Sequence, residues 1–295
     1  MILIQGSSKD FYQTADPRVL KVIFKDVVHG RGRASTIPGT GRLREEFCFY
    51  FYQFLEKQGV KTQLAKSISG QKLSGNDALL PQGILVEHLS MIPLEWIVRY
   101  VARGHWVDSH KVPLFPQGIS FHQPIVECCL KWKQAADNLS YQHLGPMKRT
   151  LWRMMQHLGL SDIVLPEKMV VDDPRVTFDI VRALHHHASE PSFRGKLIDT
   201  QETWHDLQTI ALRVNEYLRE FLNSQGWILE DGKFEMGWNN TGEIVVGDEY
   251  TQDSSRIRNQ ANESLTKDLY RDKKPDQLIY ESYAKLTEAM KAYAA

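Results

Sequence analysis

Residues 228–249 constrain this chain more than any other stretch. Residues 228–238, ILEDGKFEMGW, and 243–249, EIVVGDE, flank Asn239-Asn240-Thr241-Gly242, a turn composition that makes the two runs a β-hairpin. A two-residue or four-residue loop gives one register, pairing Trp238 with Glu243, Glu235 with Val246 and Lys233 with Asp248; a three-residue loop breaks it. Because side chains alternate faces, that register gathers Asp231, Lys233, Glu235 and Asp248 on one face and turns Phe234, Met236 and Trp238 to the other. Glu235 and Asp248 then stand as diagonal neighbours, roughly 7–8 Å apart at the backbone, close enough to share a divalent ion. Hard oxygen ligands beside a lysine suit magnesium bound to phosphate better than zinc. Gly232, Gly237 and Gly247 predict a thinly covered sheet that a ligand can approach. A salt-bridged face turned to solvent fits the same residues, and spacing does not choose between the two.

Composition narrows the partners. Thirty-six basic and thirty-six acidic side chains cancel in a chain of 295 residues, so any anion site must be built from local charge rather than from a global field. Nucleic acid is not expected. Cys48, Cys128 and Cys129 have neither zinc spacing nor a disulfide framework, which predicts a reducing compartment. With no apolar run of about 18 residues, no membrane span is expected, and the reading is cytoplasmic.

Along the chain, MILIQ, KDFYQT and residues 19–28, VLKVIFKDVV, read as three strands, followed by a glycine-rich basic loop over 29–42. Leu43, Phe47, Tyr50, Phe51, Phe54 and Leu55 recur at helical spacing, with Gly59 as the stop. KTQLAKSI and GILVEHLSMI are strand candidates. MIPLEWIVRYVARG continues the second, since Pro93 breaks a helix there. Helices are predicted over 141–156, 179–188, 204–225 and 276–294. Residues 1–92 thus read as a small, mostly β unit, and 93–295 as a larger α+β unit whose weakest signals lie at 133–170.

Several segments together resemble the SAICAR synthetase family, purine-pathway ligases that join aspartate to a carboxylated aminoimidazole ribotide at the expense of ATP. MIPLEWIVR with Gly104 is similar to one family signature, and DGKFEMG at 231–237 to the second. GDEYTQDSSR, KDLYR at 267–271, IPGTGR, and Asp172-Asp173-Pro174 leading to Asp179 also fit, in order, over most of the chain. The resemblance implies an α+β fold with a β-rich N-terminal lobe over ATP, a larger lobe holding the ribotide, and an insertion near 133–170. It implies Glu235 and Asp248 at magnesium and the ATP phosphates, Gly6, Ser7, Ser8 and Lys9 in a loop over those phosphates, and Met91 at the nucleotide. Arg99, His105, Asp231, Lys233, Asp253, Ser255 and Arg256 take the substrate positions, with Lys233, Asp231 and Arg256 nearest the chemistry. Homo-oligomerisation is a further expectation of the resemblance.

Departures from the family pattern bear on the substrate. Ser7, Thr40 and the neighbourhood of Glu87 and His88 stand where lysines are usual, His105 replaces a serine, Arg103 a small residue, and Thr177 and Phe178 an Asn and acidic pair. A ligase for another carboxylate or amine, and a catalytically silent nucleotide-binding relative, are the rival readings. His185-His186-His187 point in different directions on a helix and predict a polar face rather than a metal site. Trp96, Trp106 and Trp238 are expected to pack rather than stack on a base, and Arg31, Arg33 and Arg42 to meet a small anion or solvent.

Overall fold

The computed structural model describes residues 1–30, 33–103, 107, 118–131, 176–187 and 198–295. The helix expected over 141–156, the stretch 133–170, His105, Trp106 and residues 172–174 lie outside these. Two larger antiparallel sheets, two two-stranded hairpins and the helices packed with them make an α+β architecture among the described residues.

The first sheet has the order β1 (Ile2–Gln5), β2 (Lys9–Gln13), β3 (Val19–Phe24) and β8 (Ile84–Glu87). The single strand expected over 19–28 is divided: β3 stops at Phe24, and β4 (Val27–Gly30) pairs with β5 (Arg33–Thr36). Asp26 turns the chain between them, because its carboxylate accepts from the Gly41 N–H at 2.7 Å and so holds the start of α1 (Thr40–Lys57). Most of the expected basic loop is therefore a second hairpin. KTQLAKSI is not a strand either, since only its last two residues form β6 (Ser67–Ile68), paired with β7 (Gln71–Lys72). Before that, Thr62 and Leu64 make single bridges to Val246 and Val86 and stitch the two sheets together.

α1 ends where its sequence says it should. The Val60 N–H bonds Leu55 O at 2.9 Å and the Gly59 N–H bonds Glu56 O at 3.0 Å, with Gly59 at φ 79, the paired geometry of a glycine C-cap. Phe47, Phe51 and Leu55 are fully buried, so this aromatic helix sits inside the protein.

The second sheet runs β10 (Ser120–Leu130), β9 (Ser90–Val101), β11 (Trp227–Trp238) and β12 (Ile244–Gly247), with β13 (Ser255–Asn259) also on β11. The strand expected through GILVEHLSMI is broken at His88 and Leu89, where the chain passes from the first sheet to the second. One edge of β11 pairs with β9, and the other is shared. β13 takes residues 227–232 and β12 takes 235–238, leaving Lys233 and Phe234 between the two ladders. The acidic segment 248–254 crosses at that gap.

α2 (Phe178–His187) and α3 (Gln201–Ser224) follow the predicted helices within a few residues. α3 lays Leu207, Ala211, Val214, Leu218 and Leu222 on the second sheet as one buried stripe. After α4 (Asp268–Arg271), α5 (Asp276–Ala294) packs along α1.

Candidate active site

The hairpin is one residue out of the expected register. Glu235 faces Gly247, Met236 faces Val246 and Trp238 faces Ile244, with residues 239–243 as the loop. The Asn239 carboxamide oxygen accepts from the Thr241 N–H at 3.0 Å and the Glu243 N–H at 2.9 Å, and this stabilises the longer turn. Strict alternation from this register would send Asp248 away from Glu235. Pairing stops at Gly247, however, and Asp248 takes a left-handed backbone (φ 59) that reverses the chain. Glu235 and Asp248 consequently line one cavity of about 510 Å³, the convergence expected from the sequence reached by a different route.

Charges of both signs alternate around this cavity. Lys9 from β2 lies 2.8 Å from Asp248 and 3.1 Å from Glu249, and Lys131 at the end of β10 lies 2.9 Å from Glu235. Lys233 reaches Glu95 at 2.6 Å. Burial, and then the charge of Asp248, push the Glu235 carboxyl up to about 7. Burial also acts to raise Asp248, but the Lys9 ammonium outweighs it and holds that carboxyl below its ordinary range. Glu95 behaves likewise, with Lys233 overcoming the effect of burial.

A buried and a half-buried carboxylate whose charges repel each other form the donor set a divalent cation would relieve. Among the described residues no group of three or more His, Cys, Asp or Glu side chains could hold a metal by itself. Magnesium is commonly bound through one or two carboxylates plus substrate phosphates, so the pair fits that ion.

The remaining expected site residues divide into two groups. Gly6, Ser7, Ser8, Lys9, Lys233 and Asp253 line the cavity. Gly6 is tied into its turn by a bond from its N–H to Lys9 O at 2.9 Å, and an added Cβ would come within 2.6 Å of that oxygen. Asp253 is already engaged, by Arg44 at 3.1 Å and by the Tyr283 hydroxyl. Outside the lining, Asp231 ties together Arg99, at 2.9 Å, and Arg256, while Arg99 also binds Glu127. Burial would raise the Asp231 carboxyl, but the Arg256 and Arg99 guanidiniums hold it low. Ser255 is fully buried opposite Gly232, and Met91 pairs with Gly237, next to Gly247.

The glycines do not thin the sheet for a ligand. The space beside Gly232 is filled by Asn215 and Tyr250, whose hydroxyl donates to the Asn215 side chain at 2.8 Å, and Gly237 and Gly247 are covered by Leu89 and Met91. Among the departures, Thr40 is buried with its hydroxyl on Ile37 O, and Phe178 packs 6.0 Å from Trp204. Trp96 is buried against Trp204, as a packing residue. Arg33 lies over the Tyr270 ring and Arg42 pairs with Glu45 and Glu46.

Sequence reasoning missed Glu95, Lys131, Arg44 and Lys267, all in the cavity wall. A signal existed for the first two. Glu95 interrupts the apolar run of β9 and Lys131 follows that of β10, and a charge within or just after a buried strand needs a partner. Arg44 carries no comparable local mark, and Lys267 is marked only as the first residue of KDLYR.

Three comparisons bear on this arrangement. A profile of the SAICAR synthetase family matches residues 2–161 and 166–286. The phosphoribosylaminoimidazole-succinocarboxamide synthase of Methanoculleus marisnigri is 29% identical over 286 residues, covering 96% of this chain and 92% of the relative. The corresponding synthase of Methanothermobacter thermautotrophicus is 29% identical over 272 residues, covering 91% and 85%. Among solved structures, a SAICAR synthetase in complex with ADP superposes with a TM-score of 0.68 at 26% identity, covering 98% of this chain and 97% of that one. The Pyrococcus horikoshii OT3 SAICAR synthetase gives 0.66 at 25% identity, covering 97% and 98%. Matched in sequence and in backbone over nearly its whole length, this chain belongs to the SAICAR synthetase family.

Proposed function

We propose that the protein is an ATP-dependent carbon–nitrogen ligase of purine biosynthesis, joining a carboxylated aminoimidazole ribotide to aspartate through an acyl phosphate. One observation carries this reading: two acids, the buried Glu235 and the half-buried Asp248, meet in a cavity whose other walls supply Lys9, Lys131 and Lys233. Phosphoryl transfer needs positioning and charge neutralisation rather than a protein nucleophile, and this wall offers both. Glu235 and Asp248 would hold magnesium, which when bound neutralises charge on the ATP phosphates. Lys9, with the Gly6 to Ser8 turn, covers those phosphates, and Met91 flanks the nucleotide. Asp231 keeps the Arg99 and Arg256 forks oriented toward the ribotide, with Ser255 on the same strand as Arg256; a substrate role for His105 rests on the family resemblance alone. Lys233, held by Glu95, and Asp253, held by Arg44, flank the transferred group. In this reading residues 1–92 are the lobe over ATP and 93–295 the substrate lobe, in the cytoplasm. Among the described residues no helix is long and apolar enough to cross a membrane. Association into a homo-oligomer is part of the same proposal.

A second reading, ligation of a different carboxylate or amine, is favoured by Ser7, which puts a neutral side chain in the cavity lining where the family pattern has a cation. ADP release measured with ATP, magnesium and each acceptor, alone and paired, separates the two. Turnover that requires both the ribotide and aspartate supports the purine reaction, turnover only with another pair supports the specialised ligase, and nucleotide binding without turnover supports a silent relative. Glu235→Gln keeps the shape and removes the charge, so it should lower kcat at least ~100-fold with an unchanged circular dichroism spectrum. Full activity in that variant would end the metal assignment.

A further inference from the structure

A second cavity, of about 720 Å³, is larger than the candidate active site and shares none of its described lining residues. Three separate parts of the chain wall it: the second half of α1, the end of α5, and residues 64–66 and 73–78 on either side of the β6–β7 hairpin. Its floor is apolar. Phe49, Tyr50, Leu64 and Ala78 belong to the main core and also face this space, and the Phe49 and Tyr50 rings meet edge to face at 5.2 Å. The rim is cationic. Glu56 carries the only acidic side chain among the described lining residues, and it is taken up by Lys66 and by the Thr62 hydroxyl at 2.6 Å. Lys57 donates to the backbone oxygens of Ala294 and Ala295, so its charge meets no carboxylate side chain there. Lys291, 5.8 Å from the centre of the Tyr50 ring, has no acidic side chain within ion-pair distance among the described residues. The Tyr50 hydroxyl and the Asn76 carboxamide likewise have no hydrogen-bond partner among them. An apolar floor with a few convergent polar groups, at this volume, is the usual form of a small-molecule site.

We propose that this cavity binds a small anion carried on a flat aromatic body, with the ring against Phe49 and Tyr50 and the anionic group at Lys291 and Lys57. The charge of the ligand follows from the rim, where three lysines face one glutamate that is already engaged. The aromatic body follows from the floor, since ring edges and faces pack on one another more favourably than an aliphatic chain of the same area does. The Tyr50 hydroxyl and the Asn76 carboxamide stand ready to bond polar atoms at the edge of such a ring. Two sources share this chemistry, a phosphorylated aromatic such as a mononucleotide and an aromatic carboxylic acid. The site is independent of the ligase reading, because none of its residues belongs to the first cavity.

The test titrates the full chain calorimetrically with 2-naphthyl phosphate and with 2-naphthoate, beside 2-naphthol as the uncharged counterpart of both. At least one anion should bind with a dissociation constant near about 1 mM or below, and 2-naphthol should bind about tenfold or more weakly. Lys291 and Asn76 are exposed, so K291E and N76W change the cavity without touching the core, and unchanged urea midpoints check this. K291E reverses the rim charge and N76W fills the space; each should weaken binding about tenfold or more. K233M, in the first cavity, should leave it within about twofold. Preference for the phosphate assigns the cavity to phosphorylated ligands, and preference for the carboxylate to aromatic acids. No binding of either anion at about 10 mM, equal affinity for 2-naphthol, affinity unchanged in K291E or in N76W, or a loss in K233M as large as that in K291E would overturn the proposal.

Discussion

Lys267 makes a stability prediction at the scale of a single residue. Unfolding returns its amine to the ordinary value of 10.5, whereas in the folded protein burial and the Lys233 and Arg256 charges hold it down to about 7. Between those values the unfolded chain binds the extra proton, so this residue makes stability rise with pH. Below about pH 7 both states are protonated, and the full penalty of keeping a charged amine buried, a few kcal/mol, is present. Lys267→Met should therefore be more stable than wild type near about pH 6.5, with the gap closing toward about pH 10. Urea midpoints measured at both ends check this, and a constant gap would contradict the depressed amine. Asp248 makes a different point at the same scale: one left-handed residue at the end of β12 restores a convergence that the strand register alone would have prevented.

At the scale of the element, β11 is the organising strand. Its bulge beyond Leu229 lets successive acids serve different partners, Glu230 binding Arg103 and Arg258 while Asp231 binds Arg99 and Arg256. With Glu127 beyond Arg99 and Asp268 beyond Arg256, the charges alternate across β10, β9, β11, β13 and α4. Gly232 lets the Tyr250 to Asn215 hydrogen bond lie against the same strand. Gly232→Ala would put a methyl carbon 2.1 Å from each of those oxygens, which neither residue can vacate without leaving the core. The expected cost is about 2–4 kcal/mol in chemical denaturation. Gly59→Ala is the milder comparison. Its Cβ meets nothing within 4 Å, so only the positive φ of 79 opposes it and the loss should be about 1 kcal/mol. Equal losses at the two positions would show that steric filling is not what Gly232 provides.

Across the whole molecule, one continuous apolar cluster joins the two sheets, running from Val22 of β3 through Phe47 and Phe51 of α1 to Trp96 of β9 and Leu218 of α3. The backbone bridges at Thr62 and Leu64 reinforce that joint. A shared core of this kind gives neither sheet an independent folding unit, so far-ultraviolet and near-ultraviolet circular dichroism should report a single coincident urea transition. Two separated transitions would mean that the lobes fold apart. The cavity lies along this joint, with Lys9 brought by the first sheet and Glu235 and Lys131 by the second.

Local pattern by itself determined the elements with strong periodicity: α1 with its glycine stop, the α3 stripe, α5, and the two strands that meet at Asn239. Side-chain spacing along one element decides which face is buried, and that information is present in a single stretch of chain. Chemistry-bearing segments such as DGKFEMG and GDEYTQDSSR were legible for a related reason, since several site residues share one hairpin. Only the tertiary structure decided what depends on distant partners or on one backbone angle: the register set by a five-residue turn, the reversal at Asp248, the filling of Gly232 by Asn215 and Tyr250, and the placing of Lys267 beyond ion-pair distance of every acid among the described residues. No local pattern encodes these, because each energy belongs to groups that the chain brings together only once the core has formed.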